Sequence, residues 1–236
     1  MTQIMDLPDE LHMLILAALP LPALLAARGV CKLWRALVPG AHIPAARRGL
    51  LALYLRAAAS PAFLATRKDV LARTHSWNRD AYLSRLPADL PEDFACWVRE
   101  WPARAVLGLL WPGARTGRHA HAAPGLLSGA GHAILGMTIL NRLAFDGGAR
   151  AVHAHMFCAD VRGASGAALL LDDAFVRGRQ RSRVLVLDGA CDGVEMAGRV
   201  YAVEGTSCAM DAPEAVSWTE FLHQELDREE RWLASH

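Results

Sequence analysis

The sequence predicts an α+β fold in which helices come first and a mainly antiparallel sheet, flanked by helices, comes after. Three observations predict it. Apolar residues recur at helical spacing through most of the first 86 positions. Beyond residue 131 the apolar runs shorten, drift toward a period of two and are separated by Gly- and Asp-containing turns. The chain then closes on an amphipathic helix with a clear start signal.

Composition sets the outer bounds. At 236 residues the chain is long enough for a small module plus one ordinary domain. With 53% hydrophobic and 21% charged residues it has enough apolar side chain to fold rather than stay disordered. A net charge of +1 provides no field to gather nucleic acid or an anionic membrane, so neither is an expected partner. Cys31, Cys96, Cys158, Cys191 and Cys208 form no Cys-x-x-Cys pair. Neither a disulfide framework nor a zinc knuckle is expected, and a reducing cytoplasmic or nuclear compartment is. No signal peptide is evident at the N-terminus. The apolar stretch 11–25 is interrupted by Pro20 and Pro22 and is too short to cross a bilayer.

Leu7-Pro8 opens the first helix, with Pro8 at the first helical position, where its missing N–H costs nothing. Asp9 and Glu10 place negative charge at the positive end of the helix dipole. Leu11, Leu14, Ile15, Ala18 and Leu19 share one face. Pro20 ends this helix, and Pro22 starts a second, through Leu24 and Leu25 to Arg28, which Gly29 punctuates. A third helix carries Val30, Leu33, Trp34, Leu37 and Val38 and stops at Pro39-Gly40. A unit this short is marginal without a partner or a staple.

Periodicity alone fits helices that simply pack onto the rest of the chain. The residue types at these spacings go further. Leu7-Pro8-Asp9-Glu10-Leu11, then Ile15-Leu16, then Val30-Cys31-Lys32-Leu33-Trp34-Arg35 resemble the F-box, the adaptor-binding module of cullin-RING ubiquitin ligases. The resemblance implies a three-helix unit that docks on a Skp-type adaptor and, through it, on a cullin. It implies that Leu7 and Pro8 sit at the adaptor groove and that Leu11, Ile15 and Leu19 follow along the first helix. Leu24, Val30, Cys31, Trp34 and Leu37 would supply the remaining apolar contact. The physical logic is a helix in a groove with a tryptophan anchor. Many F-boxes open their second helix with a polar or acidic residue; here Leu21-Pro22 stands at that place, and proline also starts a helix.

Residues 45–86 read as helices broken at Ser60-Pro61, with Ser60 as the cap. Arg47, Arg48 and Arg56 form no sustained basic stripe and read as a solvated helix face. Leu90-Pro91-Glu92-Asp93-Phe94 opens a helix that carries Phe94, Trp97, Val98 and Trp101 and ends at Pro102. The apolar run 105–111, closed by Pro112-Gly113, reads as a buried strand, and 115–131 as a long loop. Strands are expected within 134–145 and over 150–158, 167–172, 183–187 and 198–203. Turns are expected at Asp146-Gly147-Gly148, Asp188-Gly189 and Glu204-Gly205. Ser217 and Glu220 make a capping box for the last helix, with Val216 and Phe221 as its hydrophobic staple. Trp218, Phe221, Leu222 and Leu226 would cover the sheet, and the charged tail 227–231 is expected to be exposed. Trp77, Trp97, Trp101, Trp111 and Trp218 read as core or domain-interface aromatics.

This back half is similar to the SUKH superfamily, the Smi/Knr-type fold. The matching pieces are Leu90-Pro91-Glu92-Asp93-Phe94, Gly198-Arg199-Val200-Tyr201 and Trp218-Thr219-Glu220-Phe221-Leu222. The likeness implies a binding fold without catalysis, and its order behind an F-box resembles an architecture found in fungi. The implied organisation is an F-box over 1–44, a helical linker over 45–85 and a SUKH-like α+β domain over 86–236. The later part is not expected to need residues 4–40 for its completion, which leaves their apolar face free for a partner.

The sequence offers only weak candidates for a catalytic or metal centre. The pairs His119-Ala120-His121 and His153-Ala154-His155 are the candidates: a His-x-His on a strand puts both rings on one face, with Cys158, Asp160 or Asp172 as further ligands, but His119 and His121 fall in the Gly- and Ala-rich loop. Their surroundings favour solvated or locally bonded histidines, and no metal or cofactor is expected. The segment 125–131 matches neither a phosphate loop nor a nucleophile elbow. The pairs Asp172-Asp173 and Asp188 with Asp192 are accounted for by turn capping. The expectation is therefore a non-enzymatic substrate receptor of a Skp–cullin–F-box ligase that presents a protein target. The alternatives are an interaction module outside such a ligase and, from another class, a metal-dependent enzyme using His153 and His155.

Overall fold

A computed structural model describes residues 4–74, 76–84, 86, 88–107, 110–112, 133–140, 165–172, 181–191, 194–204, 207–208 and 213–235. The expected loop 115–131, the turn at Asp146-Gly147-Gly148, the strand 150–158 and both histidine pairs lie outside the described residues.

A short 3-10 turn, Ile4–Asp6, leads into α1 (Asp9–Ala18). Pro8 is the N-cap of α1 rather than its first residue, and its carbonyl accepts the Leu11 and His12 N–H groups at 3.0 and 3.2 Å. Helix α2 (Leu21–Val30) runs through Gly29 instead of ending there, because that exposed site constrains nothing. Extended backbone at Cys31 makes the break, and the Cys31 Sγ accepts the Trp34 N–H at 3.4 Å to cap α3 (Lys32–Leu37).

Helices α4 (Ala45–Ala59) and α5 (Pro61–Arg73) meet at a 93° bend. Ser60 occupies the cap position, yet its hydroxyl is buried and makes no cap bond; Pro61 fixes the turn instead. The three arginines expected to be solvated are committed. Arg47 pairs with Glu100, Arg48 donates to the Pro39 and Ala41 carbonyls, and Arg56 pairs with Asp227 and Glu230. Helix α6 (Arg79–Leu83) is capped by Asn78, and α7 (Glu92–Glu100) begins at the expected Pro91. The described residues of the run 105–111 are buried but form no strand. Side chains take up its carbonyls: Trp101 Nε1–H donates to Ala105 O at 2.8 Å and Arg67 to Val106 O at 2.7 Å.

The described strands are β1 (Ala133–Leu140), β2 (Ser165–Asp172), β3 (Arg181–Cys191), β4 (Val194–Glu195), β5 (Val200–Glu204) and β6 (Ser207–Cys208). Their order is β1-β2-β3-β5-β6, with β4 on β3, and every pairing is antiparallel. Asp188-Gly189 is not a turn. Gly189 pairs with Gly166 inside β3, and the reversal falls after Cys191, which pairs with Val194.

Helix α8 (Trp218–Ala234) closes the chain. Ser217 Oγ accepts the Glu220 N–H at 3.1 Å, while Glu220 Oε2 accepts the Val216 N–H at 2.8 Å. The staple does not form, because Val216 stands exposed while Phe221 is enclosed. The tail beyond Asp227 is held rather than free: Asp227 and Glu230 bind Arg56, and Glu229 is buried.

At the centre lies an aromatic cluster. Trp97 meets Trp218 edge-on at 5.0 Å and Trp111 at 5.3 Å, and Phe94 meets Trp218 at 5.4 Å. The same continuous core takes in Leu16, Leu21, Leu24 and Val38 from the front helices and Leu185, Leu187 and Val200 from the sheet. The front helices therefore seal the interior with one face, contrary to the expectation that nothing behind them needed their packing.

Candidate functional site

The front unit places its apolar residues unusually. In a surface helix the apolar stripe faces the core. In α1 the residues buried are His12 and Leu16, one turn apart. The stripe that periodicity picks out turns outward: Leu14 is 64% exposed, Leu11 44%, Ala18 is exposed and Ile15 half-buried. Ile4 before α1 and Val30 at the end of α2 are also exposed. Half of the large apolar side chains that stand exposed among the described residues thus fall in the first 30 positions. Contiguous apolar patches on a surface are the kind of feature that interaction sites carry.

The ten predicted contact residues divide into three groups. Pro8, Leu11 and Val30 are on the surface. Leu7, Ile15, Leu19, Cys31, Trp34 and Leu37 are half-buried, so a part of each is open to a partner. Leu24 is fully enclosed and belongs to the continuous core, so it offers no surface at the expected interface. Cys31 also has a second task, as the cap of α3. Leu14, the most exposed apolar residue of α1, is absent from the ten, although its place on the stripe was legible.

Trp34 is fixed from behind. Its Nε1–H donates to His12 Nδ1 at 3.1 Å, and the two rings meet edge-on with centroids 6.0 Å apart. Arg35 Nε–H donates to the Arg28 carbonyl at 3.0 Å and closes the corner between α2 and α3. Residues 4–41 match the F-box-like family model. The match covers this front unit and ends just past α3, at the Pro39-Gly40 stop. F-box-like domains typically bind Skp adaptors, which supports a Skp adaptor as the kind of partner. No match was found among curated proteins or among solved structures.

Elsewhere, a cleft of about 570 Å³ opens between the start of α4, the start of α7 and the start of α8. Asp93, which lines it, is already used, accepting the Phe94 and Thr219 N–H groups at 2.8 Å each. Among the described residues no group of three His, Cys, Asp or Glu side chains is placed to hold a metal ion. No single described helix is long and apolar enough to cross a membrane.

Burial shapes the titration of the groups behind the front unit. Burial draws the Glu100 carboxyl upward, but Arg47 and the Leu21 N–H outweigh it and hold it below the ordinary value. Burial, with the Glu100 charge behind it, pushes the neighbouring Cys96 thiol up to about 11.

Proposed function

We propose that this chain is the substrate-receptor subunit of a Skp–cullin–F-box type ubiquitin ligase. The observation that carries the reading is the outward apolar stripe of α1, with Leu11 and Leu14 exposed, inside the segment that matches the F-box-like model. An apolar helix face laid in a partner's groove, next to a tryptophan, is a recurrent way for proteins to bind helices. The chain performs no chemical step in this reading. It raises the effective concentration of a target near the ligase, which works in the cytoplasm or nucleus.

The remaining residues would hold the protein target on a SUKH-type domain. Supporting this are the helix opened at Pro91-Glu92, the β5 strand through Val200 and Tyr201 in an antiparallel sheet, and the helix opened at Trp218. The front unit being packed into a common core with these elements is also suited to the role, since a rigid link fixes where a target sits relative to the adaptor.

Affinity purification of the full chain tests the proposal. Recovery of a Skp-type adaptor together with a cullin is the expected result. Adaptor without cullin favours an interaction module outside a ligase, and recovery of neither overturns the reading.

A further inference from the structure

We propose that His12 is a positioning residue for the docking face: it holds Trp34 in its binding orientation and absorbs the polar edge of the indole. This inference rests on the adaptor reading above. His12 lies on α1 facing away from Leu11 and Leu14, and it is completely enclosed. A histidine on the inner face of a three-turn helix is costly to bury, so a specific bond should account for it. That bond is the one from Trp34 Nε1–H to Nδ1.

The chemistry fixes the state of the ring. Nδ1 accepts only when it carries no proton, so the ring proton sits on Nε2 in the neutral imidazole. Nε2 itself has no hydrogen-bond partner among the described residues. The imidazole is thus committed to one acceptor task, and no other described group competes for it.

The consequence falls on Trp34. An indole N–H is a donor only, and pressing an unpaired one against an apolar groove leaves it without water or partner. Here the donor is satisfied from inside. The backbone N–H of Trp34 is satisfied as well, by Cys31 Sγ. Both N–H groups of Trp34 therefore turn inward, and the half-buried ring can offer apolar surface to a partner with no polar group left over. Its orientation is set before binding, which reduces the ordering that association requires.

The test is a double-mutant cycle on the full chain, with a purified Skp-type adaptor titrated against it. His12→Phe keeps a ring but accepts nothing, and it should weaken binding by about tenfold. His12→Asn, whose side-chain oxygen comes close to the position of Nδ1, should recover most of that loss. In a Trp34→Phe background, which has no indole N–H, His12→Phe should change affinity by less than about twofold. The Trp34 indole N–H resonance should move in His12→Phe and return in His12→Asn. An equal loss in both backgrounds, or no loss in the native background, overturns the proposal while leaving adaptor binding intact. Absence of binding by the native chain overturns the adaptor reading itself, and with it the docking role of His12.

Discussion

Glu100, in the last turn of α7, accepts the amide hydrogen of Leu21, in the first turn of α2, over 2.7 Å. The same carboxylate takes two hydrogen bonds from Arg47 of α4, at 2.8 and 2.7 Å. One negative group thus caps the positive end of α2 and ties it to two later helices. Glu100→Ala should remove all three bonds and lower stability by about 1–3 kcal/mol. Urea unfolding followed at far-UV and aromatic wavelengths should still give one shared transition. Two separated transitions, one for the front helices, would contradict the common core.

Glu100 and a second carboxylate, Glu214, which accepts from Arg183 Nε–H, make stability depend on acid. Burial draws Glu214 upward, but Arg183 and Arg228 hold it below the ordinary value of 4.5, as Arg47 does for Glu100. A carboxyl with a lowered folded pKa binds its proton more readily when unfolded. Its contribution is complete above the ordinary glutamate value and disappears as pH falls through the folded value. The urea midpoint should therefore be flat just above pH 4.5 with respect to these groups and fall below it. Glu100→Gln should flatten part of that fall. An unchanged slope in the variant would show that Glu100 is not among its sources.

Leu24 and Leu14 separate folding from docking. Leu24 is enclosed and Leu14 is 64% exposed. Leu24→Ala should destabilise the chain by about 2–5 kcal/mol. Leu14→Ala should shift stability by no more than about 0.5 kcal/mol and yet weaken adaptor binding. The reverse ranking in denaturation would mean that Leu14 is enclosed and Leu24 is not.

Cys96 offers a probe of the junction. With its thiol pushed up to about 11 by burial and then by Glu100, it is protonated at neutral pH and alkylates slowly. Peptide mass spectrometry after iodoacetamide should show its labelling rate rising about tenfold per unit between about pH 8 and pH 10. Fast labelling at neutral pH would mean that the Cys96 face of α7 is not packed against α4 as described.

The parts of the fold that were legible in the sequence are those with local causes. Pro8, Pro61 and Pro91 marked helix starts, Pro20 marked the end of α1 although it is also the N-cap of α2 in place of the expected Pro22 start, Ser217 capped α8, and alternation plus turn residues indicated an antiparallel sheet. Readings failed where a distant side chain decided the outcome. The run 105–111 has strand composition, but Arg67 and Trp101 occupy its carbonyls. Arg47 and Arg56 look solvated locally, and their partners lie 53 and 171 or more positions away. The apolar stripe of α1 was plain from periodicity, while its outward direction was expected only from the F-box resemblance and not from the spacing itself. The signal available for that direction was His12, which shares its inner face with Leu16 and meets a donor from Trp34.

The central claim is that the outward stripe of α1 binds a Skp-type adaptor. Isothermal titration of the full chain with that adaptor tests it most directly, comparing the native protein with a Leu11→Asp, Leu14→Asp double variant. The native chain should bind saturably and one-to-one, and the variant should unfold at the same urea concentration but bind at least about a hundredfold more weakly. No binding by the native chain, or equal binding by the two proteins, would contradict the account.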